Sequence, residues 1–343
     1  MDAPVVLAID GNSLVHRSFH AQARTAAHTA GRPSWAVRGL LMQLVAAVDR
    51  IRPVTVVVGF DDPDASVRRD TWPQYKANRV DKLDTLVDQL ADAVAVMRAL
   101  GLHVVVPPGL EADDVLAATA HTARESGART VVVTSDRDSF ALIDDTTSVL
   151  RIINGGVDAS PLMTPERLVL LLGVRPEQYR DFAALRGDPS DNLPGVRGVG
   201  PRTAARLLAE FGSAAAVFDD LEGVAERVGA GVARRLAAPG AREAWQLNCQ
   251  VMAMRHDLAV DLRLAGGPGV LPVPVGPVAE IYRAQNLTWT LRDALRVLAD
   301  VEPDAPLPPR SQAWVDEPVA YRAPRRPPPL VAREPETAQL SLF

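Results

Sequence analysis

Four short apolar runs limit what this chain can fold into. They are V-V-L-A-I-D (5–10), V-T-V-V-V-G-F-D (54–61), L-H-V-V-V-P (102–107) and T-V-V-V-T-S-D (130–136). Each is rich in β-branched residues and lacks polar alternation, so a strand built from it is apolar on both faces. A parallel sheet covered by helices on both sides satisfies that pattern. Helical patterns lie between the runs, at 34–50, 84–100 and 111–125. Alternating strand and helix predicts an α/β domain over residues 1–163, with a central, mainly parallel sheet flanked by helices. Such sheets collect ligands at the carboxyl ends of their strands. Asp10, Asp61 and Asp136 stand at three of those ends.

After residue 163 the strand pattern stops. T-P-E-R-L-V-L-L-L-G opens a helix, with Thr164 at the N-cap and Pro165 at the first helical position, and the chain reads as helical to residue 300. Residues 301–338 are dominated by proline and show no periodicity, which predicts a disordered linker. No apolar run is long enough for a membrane span, and no signal peptide opens the chain. The single cysteine, Cys249, fits a reducing compartment and reads as core rather than nucleophile. A cytoplasmic, nucleoid-associated protein is expected, with no membrane partner.

Acids stand where folding does not need them: Asp10; Asp61; Glu111, Asp113 and Asp114; Asp136 and Asp138; Asp188; Asp191. Singly, each has an ordinary explanation in turn chemistry or helix-dipole preference. Together, if the strand ends converge, nine carboxylates crowd one sheet edge and need cations to neutralise them. Hard oxygen donors in that number suit Mg²⁺ or Mn²⁺, and no Cys/His set competes. Two such ions, roughly 3.5–4 Å apart, clamp a phosphodiester for in-line hydrolysis. Setting the nine acids aside turns the net charge of −5 into +4, so the rest of the chain is mildly basic.

Residues 65–79, A-S-V-R-R-D-T-W-P-Q-Y-K-A-N-R, interleave Arg68, Arg69, Lys76 and Arg79 with Trp72 and Tyr75. Charges for phosphates and rings for stacking suit a nucleic-acid strand, although a solvated loop is the alternative. Arg17 adds a cation near the acidic edge; His16 and His20 beside it read as supporting residues. G-V-R-G-V-G-P-R-T-A-A-R-L-L (195–208) follows a turn and not a strand, so it is not a dinucleotide loop. Free backbone N–H groups at a helix start hold phosphate without reading sequence. With Arg197, Arg202 and Arg206 it predicts a helix–hairpin–helix grip on duplex backbone, over residues 183–210.

The motifs A-I-D-G-N-S-L-V-H-R-S-F-H-A, F-D-D-P, Y-K-A-N-R, G-L-E-A-D-D-V, T-S-D-R-D and A-L-R-G-D-P-S-D-N-L-P-G-V-R-G-V-G-P-R-T-A resemble, in order, those of the 5′ nucleases. That family includes the 5′→3′ exonuclease domain of bacterial DNA polymerase I and the flap endonucleases. The resemblance covers residues 5 to about 290. It implies a PIN/resolvase-like sheet and a structure-specific 5′ nuclease using two metal ions. It would cut 5′ flaps, nicks and 5′ ends of DNA or RNA·DNA primers, in primer removal and repair. One ion would use Asp10, Asp61, Glu111, Asp113 and Asp114, and the other Asp136, Asp138, Asp188 and Asp191. Arg17, Arg68, Lys76 and Arg79 would act at the scissile phosphate or on a helical arch over residues 65–100. Tyr75, Arg197, Gly198, Gly200, Arg202 and Thr203 would contact DNA, with K⁺ at the helix–hairpin–helix element. Two departures stand out: Arg202 replaces the usual Lys, and V-D-K-L-D-T-L lacks the usual prolines of the arch.

Because the chain ends before any polymerase segment, a stand-alone member is expected. A non-catalytic DNA-junction binder is the alternative, disfavoured because Asp136, Asp138, Asp188 and Asp191 are all present. An RNase of the wider PIN-like group is disfavoured by the duplex-gripping element. The terminal Q-L-S-L-F resembles the bacterial sliding-clamp-binding motif. Gln339 would bond a pocket rim, and Leu340, Leu342 and Phe343 would anchor in it.

Overall fold

A computed structural model describes residues 3–26, 33–79 and 82–308. The chain divides into two units, Met1–Arg310 and Ser311–Phe343. The second unit lies outside the described residues, and with it most of the expected linker and the whole expected clamp motif.

The predicted strands form. They are β1 (Val5–Asp10), β2 (Thr55–Gly59), β3 (His103–Val105) and β4 (Arg129–Thr134), joined by β5 (Thr147–Arg151) and β6 (Leu162–Met163). The sheet order is β3-β2-β1-β4-β5-β6; only β6, paired with β5, runs antiparallel. The chain steps outward from β1 through β2 to β3, then returns to place β4 on the other side of β1. Asp10 ends β1 at that reversal, the point where open α/β sheets bind ligands.

Alternation along the strands explains the layering. Leu7, Ile9, Val56, Val58 and Val133 face one layer, formed by α1 (Gly11–Ala26), α2 (Trp35–Ile51) and α4 (Asp84–Ala99), with α3 (Val67–Thr71) a short turn before α4. Val6 and Val57 face α5 (Ala112–Glu125), while Ala8, Val132 and Val149 join the core of the helical segment. The short α6 (Gly156–Ala159) packs on α2 through Val157, while the helical core runs through α7 (Pro165–Leu172), α8 (Tyr179–Arg186), α9 (Pro201–Phe211), α10 (Ala214–Asp219), α11 (Leu221–Val224), α12 (Ala230–Leu236) and α13 (Ala241–Val251). As predicted, Thr164 caps α7 by accepting the Arg167 N–H, with Pro165 at the first position. A two-stranded ribbon, β7 (Gly187–Asp188) with β8 (Leu193–Pro194), leads into the glycine-rich loop.

Three expectations change. The stretch 65–100 is not all arch: α4 buries Leu86, Gln89, Ala93 and Met97, a helical stripe packed on α1 and α2. The helical segment does not run to residue 300. Val56 N–H donates to the Gly269 carbonyl and Leu271 N–H to the Val54 carbonyl, both at 2.9 Å. These bonds bring the chain back to β2. Then α14 (Val275–Ala284) and α15 (Leu291–Ala299) pack on α2 in the first layer. Tyr282 is fully buried there and donates its hydroxyl to the Leu41 carbonyl at 3.0 Å. Finally, Cys249 is half-buried on α13, beside Asp181, and not in the core. Burial and the Asp181 carboxylate push its thiol up to about 12, which keeps it protonated. Among the described residues no helix is long and apolar enough to cross a membrane.

Candidate metal centre and nucleic-acid interface

Asp10 is buried at the end of β1 and tied down on both oxygens. Oδ1 accepts the Ser13 N–H at 2.8 Å, and Oδ2 accepts the Thr134 hydroxyl at 2.7 Å. Thr134 Oγ1 in turn accepts the Asp136 N–H at 3.0 Å, so one hydroxyl spaces the first two acids. Asp61 is likewise fixed, by the Ala112 N–H on Oδ1 and by Asn12 Nδ2 on Oδ2. Glu111 caps α5, whose first turn places Asp113 toward the same cavity, of about 590 Å³. Asp10, Asp61, Glu111, Asp113 and Asp136 all line it.

Burial and mutual repulsion raise several of the carboxyls. Burial, with repulsion from Asp61 and Asp136, pushes Asp10 up to about 7 against the Ser13 and Thr134 hydrogen bonds. Burial and the charges of Asp136 and Asp10 also raise Asp113 well above the usual carboxylate range. Asp138 is pushed up to about 7 by burial and by Asp136, Asp188 and Asp191. Eight of the nine acids line three cavities, of which the two smaller share Asp136 and Asp113, respectively, with the main one. Asp188 lines a neighbouring cavity, and Asp191 lines a narrow gap with Asp113 and Asp138.

Asp114 departs from the expected ligand set. Its carboxylate faces away from the cavity and accepts the Arg255 N–H at 2.8 Å, Arg68 Nη2 at 3.1 Å and the Glu111 N–H at 3.2 Å. It closes the capping box of α5 and is 1 % exposed, so its place is structural.

Cations rest on the acids. Arg68 bridges Glu111 and Asp114, and Lys76 Nζ reaches Glu111 at 3.1 Å. Arg79 pairs with Asp191. Burial would push Glu111 up, but Lys76 and Arg68 outweigh it, and its carboxyl sits below its usual range. Tyr75 is not a stacking platform: it is 6 % exposed and donates its hydroxyl to Glu111 at 3.1 Å. A ring at this spacing in a basic stretch looks exposed by sequence alone, yet the 72–79 turn folds it inward. Arg17 lines the main cavity and donates to Asn154. His16 lines it too; burial and the nearby cations Lys82 and Arg79 lower it to about 4, so it is neutral at physiological pH.

The donor set fits divalent cations in kind. All donors are hard oxygens, and Oδ1 of Asp113 and of Asp138 is buried with no hydrogen-bond partner. Buried, unpartnered carboxylate oxygens are costly unless a cation or proton meets them. As the side chains stand, no three such groups among the described residues converge tightly enough to hold one ion. Arg68, Lys76 and Arg79 instead supply the compensating charge.

The glycine-rich loop is built on two pegs. Val196 and Val199 are buried in the helical core, which turns Arg197, Gly198 and Gly200 outward. Gly200 caps α9 with no side chain, leaving the N–H groups of its first turn, beside the exposed Arg202 and the half-buried Thr203, open to an anion. Gly198 has φ +77°, and its carbonyl accepts Arg235 Nη1 at 3.1 Å. Arg206 is turned away, onto the Arg227 carbonyl.

Sequence reasoning missed the residues that set the acids: Asn12, Ser13, Thr134 and Ser135. Ser13 and Ser135 share a hydrogen bond between their hydroxyls, joining the start of α1 to the end of β4. Each lies within three residues of a strand-end acid, which was the available signal.

Two family models match the chain: the N-terminal resolvase-like domain of 5′-3′ exonucleases over residues 5–170, and the C-terminal SAM fold of the same family over 174–267. DNA polymerase I of Mycobacterium tuberculosis is 40% identical over 236 residues, covering 68% of this chain and 26% of that protein. The thermostable DNA polymerase I of Thermus thermophilus is 36% identical over 263 residues, covering 76% and 30%. The chain thus spans between a quarter and a third of the length of these relatives. Among solved structures, T5 5′-exonuclease with bound zinc ions has a TM-score of 0.52 at 18% identity, covering 85% of this chain and 93% of that one. The catalytic core of Rad2 in complex with DNA substrate has a TM-score of 0.53 at 15% identity, covering 87% and 92%. At that identity the two share the fold.

Proposed function

The chain belongs to the 5′-3′ exonuclease family, with its resolvase-like and SAM-fold domains in succession, and on that premise we propose that it is a structure-specific 5′ nuclease cutting at 5′ flaps, nicks and 5′ ends of DNA or RNA·DNA. The observation that carries this reading is the crowding of Asp10, Asp61, Glu111, Asp113 and Asp136 around one cavity at the switch point of the sheet. Asp10, Asp61, Glu111 and Asp113 would hold one Mg²⁺ or Mn²⁺, and Asp136, Asp138, Asp188 and Asp191 the other. When bound, such ions lower the pKa of a water and stabilise charge on the attacking and leaving oxygens. Asn12 and Thr134 keep Asp61 and Asp10 in fixed orientations. Lys76 and Arg79 line the cavity and would meet a phosphate entering it, while Arg68, paired with Glu111 and Asp114, would act from the adjoining gap. The N-terminus of α9, with Arg197 and Arg202, would hold duplex backbone, with K⁺ at the loop carbonyls. The Q-L-S-L-F end would tether the enzyme to a sliding clamp, concentrating it at replication and repair junctions.

Product mapping on a 5′-labelled double-flap substrate with Mg²⁺ tests the reading, with Asp113→Ala as the control. Discrete flap products from the wild type alone support it. A second reading, a junction binder without cleavage, is favoured by the absence, among the described residues, of three acids converged on one ion. Tight flap binding in EDTA with no product in Mg²⁺ would establish that reading instead.

A further inference from the structure

Beside the main cavity lies a second one of about 460 Å³, lined by Arg137, Arg151 and Arg186 with Asp136 and Asp188. The two cavities share Ser135 and Asp136, so a strand leaving the first across Asp136 enters the second. The three guanidiniums are poorly used by the protein. Among the described residues none of them forms an ion pair with a carboxylate. Arg151 Nε is buried and has no hydrogen-bond partner. Arg186 spends Nε on the Gly187 carbonyl and rests its guanidinium over the Phe182 ring, 5.6 Å from the centroid. Burial, then Arg137 and Arg17, disfavour the charge on Arg151, and the nearby Asp136 only partly offsets them.

Those observations describe a basket for an oxyanion. Guanidinium forks match phosphate oxygens in pairs, and the neighbouring acids would be engaged by cations in the active protein. We propose that the Arg137–Arg151–Arg186 cavity binds a backbone phosphodiester of the substrate strand, adjacent to the phosphate that is cut. This rests on the nuclease reading above and adds to it a second phosphate subsite on the β5 side of Asp136. The cavity is open and continuous with the first, which suits a strand better than a free anion.

The test is a scan of single methylphosphonate substitutions along a flap substrate, with affinity read by fluorescence anisotropy on the full chain with Ca²⁺ in place of Mg²⁺. Wild type should lose roughly tenfold at one position. An Arg151→Ala/Arg186→Ala double variant should lose about as much on unmodified DNA and nothing further at that position. Its salt slope should fall by roughly one for each phosphate no longer neutralised. Arg186→Lys, with an unchanged thermal midpoint and a partial loss, separates charge from folding. Equal losses in wild type and variant at every position overturn the proposal. Inorganic phosphate that competes with DNA on wild type alone, without positional coupling, also overturns it in favour of a free-phosphate site. No flap binding by wild type would sink the nuclease reading itself, whereas binding without coupling sinks only this subsite.

Discussion

Asn12 and Asp61 hold each other through two hydrogen bonds: Asn12 Nδ2 donates to Asp61 Oδ2 at 2.6 Å, and the Asp61 N–H donates to Asn12 Oδ1 at 3.1 Å. The pair ties the start of α1 to the end of β2 and fixes which way the Asp61 carboxylate points. Residues that orient a metal ligand typically control affinity by about 10–100-fold when removed. Asn12→Ala should therefore weaken Mn²⁺ binding about tenfold or more, read by calorimetry or by the free-Mn²⁺ EPR signal. Unchanged Mn²⁺ affinity would show that Asp61 needs no such orientation.

The raised carboxyls of Asp10 and Asp138 together outweigh the lowered His16, which acts in the opposite sense, in the pH dependence of the metal-free protein. Asp10 and Asp138 titrate near 7 when folded and near the ordinary 3.8 when unfolded. Between those values the native state binds more protons than the unfolded one, so stability falls as pH rises from about 4 to 7 and then levels off. In EDTA the thermal midpoint should drop over that window. Mg²⁺ should restore it, with the larger effect above pH 7. An Asp10→Asn/Asp138→Asn variant should show a smaller drop in EDTA; an equal drop would assign the effect to other groups.

Arg68 is a keystone of the acid cluster. Its side chain is 11% exposed and bridges Glu111 and Asp114, themselves nearly buried. Removing one partner of a buried ion pair leaves the other uncompensated, at a cost of about 3–5 kcal/mol. Arg68→Ala should lower stability by that order in urea unfolding. Tyr75→Phe removes only the hydroxyl bond to Glu111 and should cost about 1 kcal/mol, with flap affinity unchanged.

Gly187 and Gly195 let two backbones touch. A Cβ at Gly187 would lie 2.2 Å from Gly195 N, and one at Gly195 would lie 2.3 Å from the Arg186 carbonyl. The close approach pins the ribbon that carries Asp188. Gly195→Ala should destabilise by roughly 2–4 kcal/mol and lower cleavage through misplacement of Asp188. A variant of wild-type stability would mean that the ribbon can open without consequence.

Deleting residues 339–343 should leave flap cleavage intact and abolish binding to a bacterial sliding clamp, measured by surface plasmon resonance. Unchanged clamp affinity after the deletion would rule out the tether.

The sheet and the acids at its edge were legible because each is written locally. A continuous β-branched run forces a strand covered on both faces, and an acid at its end has nowhere else to stand. Thr164 and Pro165 likewise announce the start of α7. Asp114 and Tyr75 were misjudged because their roles depend on partners far along the chain, Arg255 and Glu111. The return of residues 269–299 to the first layer was hidden for the same reason. Nothing in a helical pattern says which distant face it will cover. Only pairings such as Tyr282 on Leu41 decide that.

That return has a consequence for how the protein is made. On the ribosome, residues through 267 emerge with every strand in place but with α2 still bare where Val278, Tyr282 and Leu298 will later sit. The nascent chain therefore carries an uncovered apolar face until the last helices are synthesised, and exposed surface of that kind invites aggregation. A truncated gene ending after the helical segment would yield a product with all nine candidate acids and a sticky back. Shortening this protein to its two matched domains is thus a recipe for insolubility rather than for a minimal nuclease.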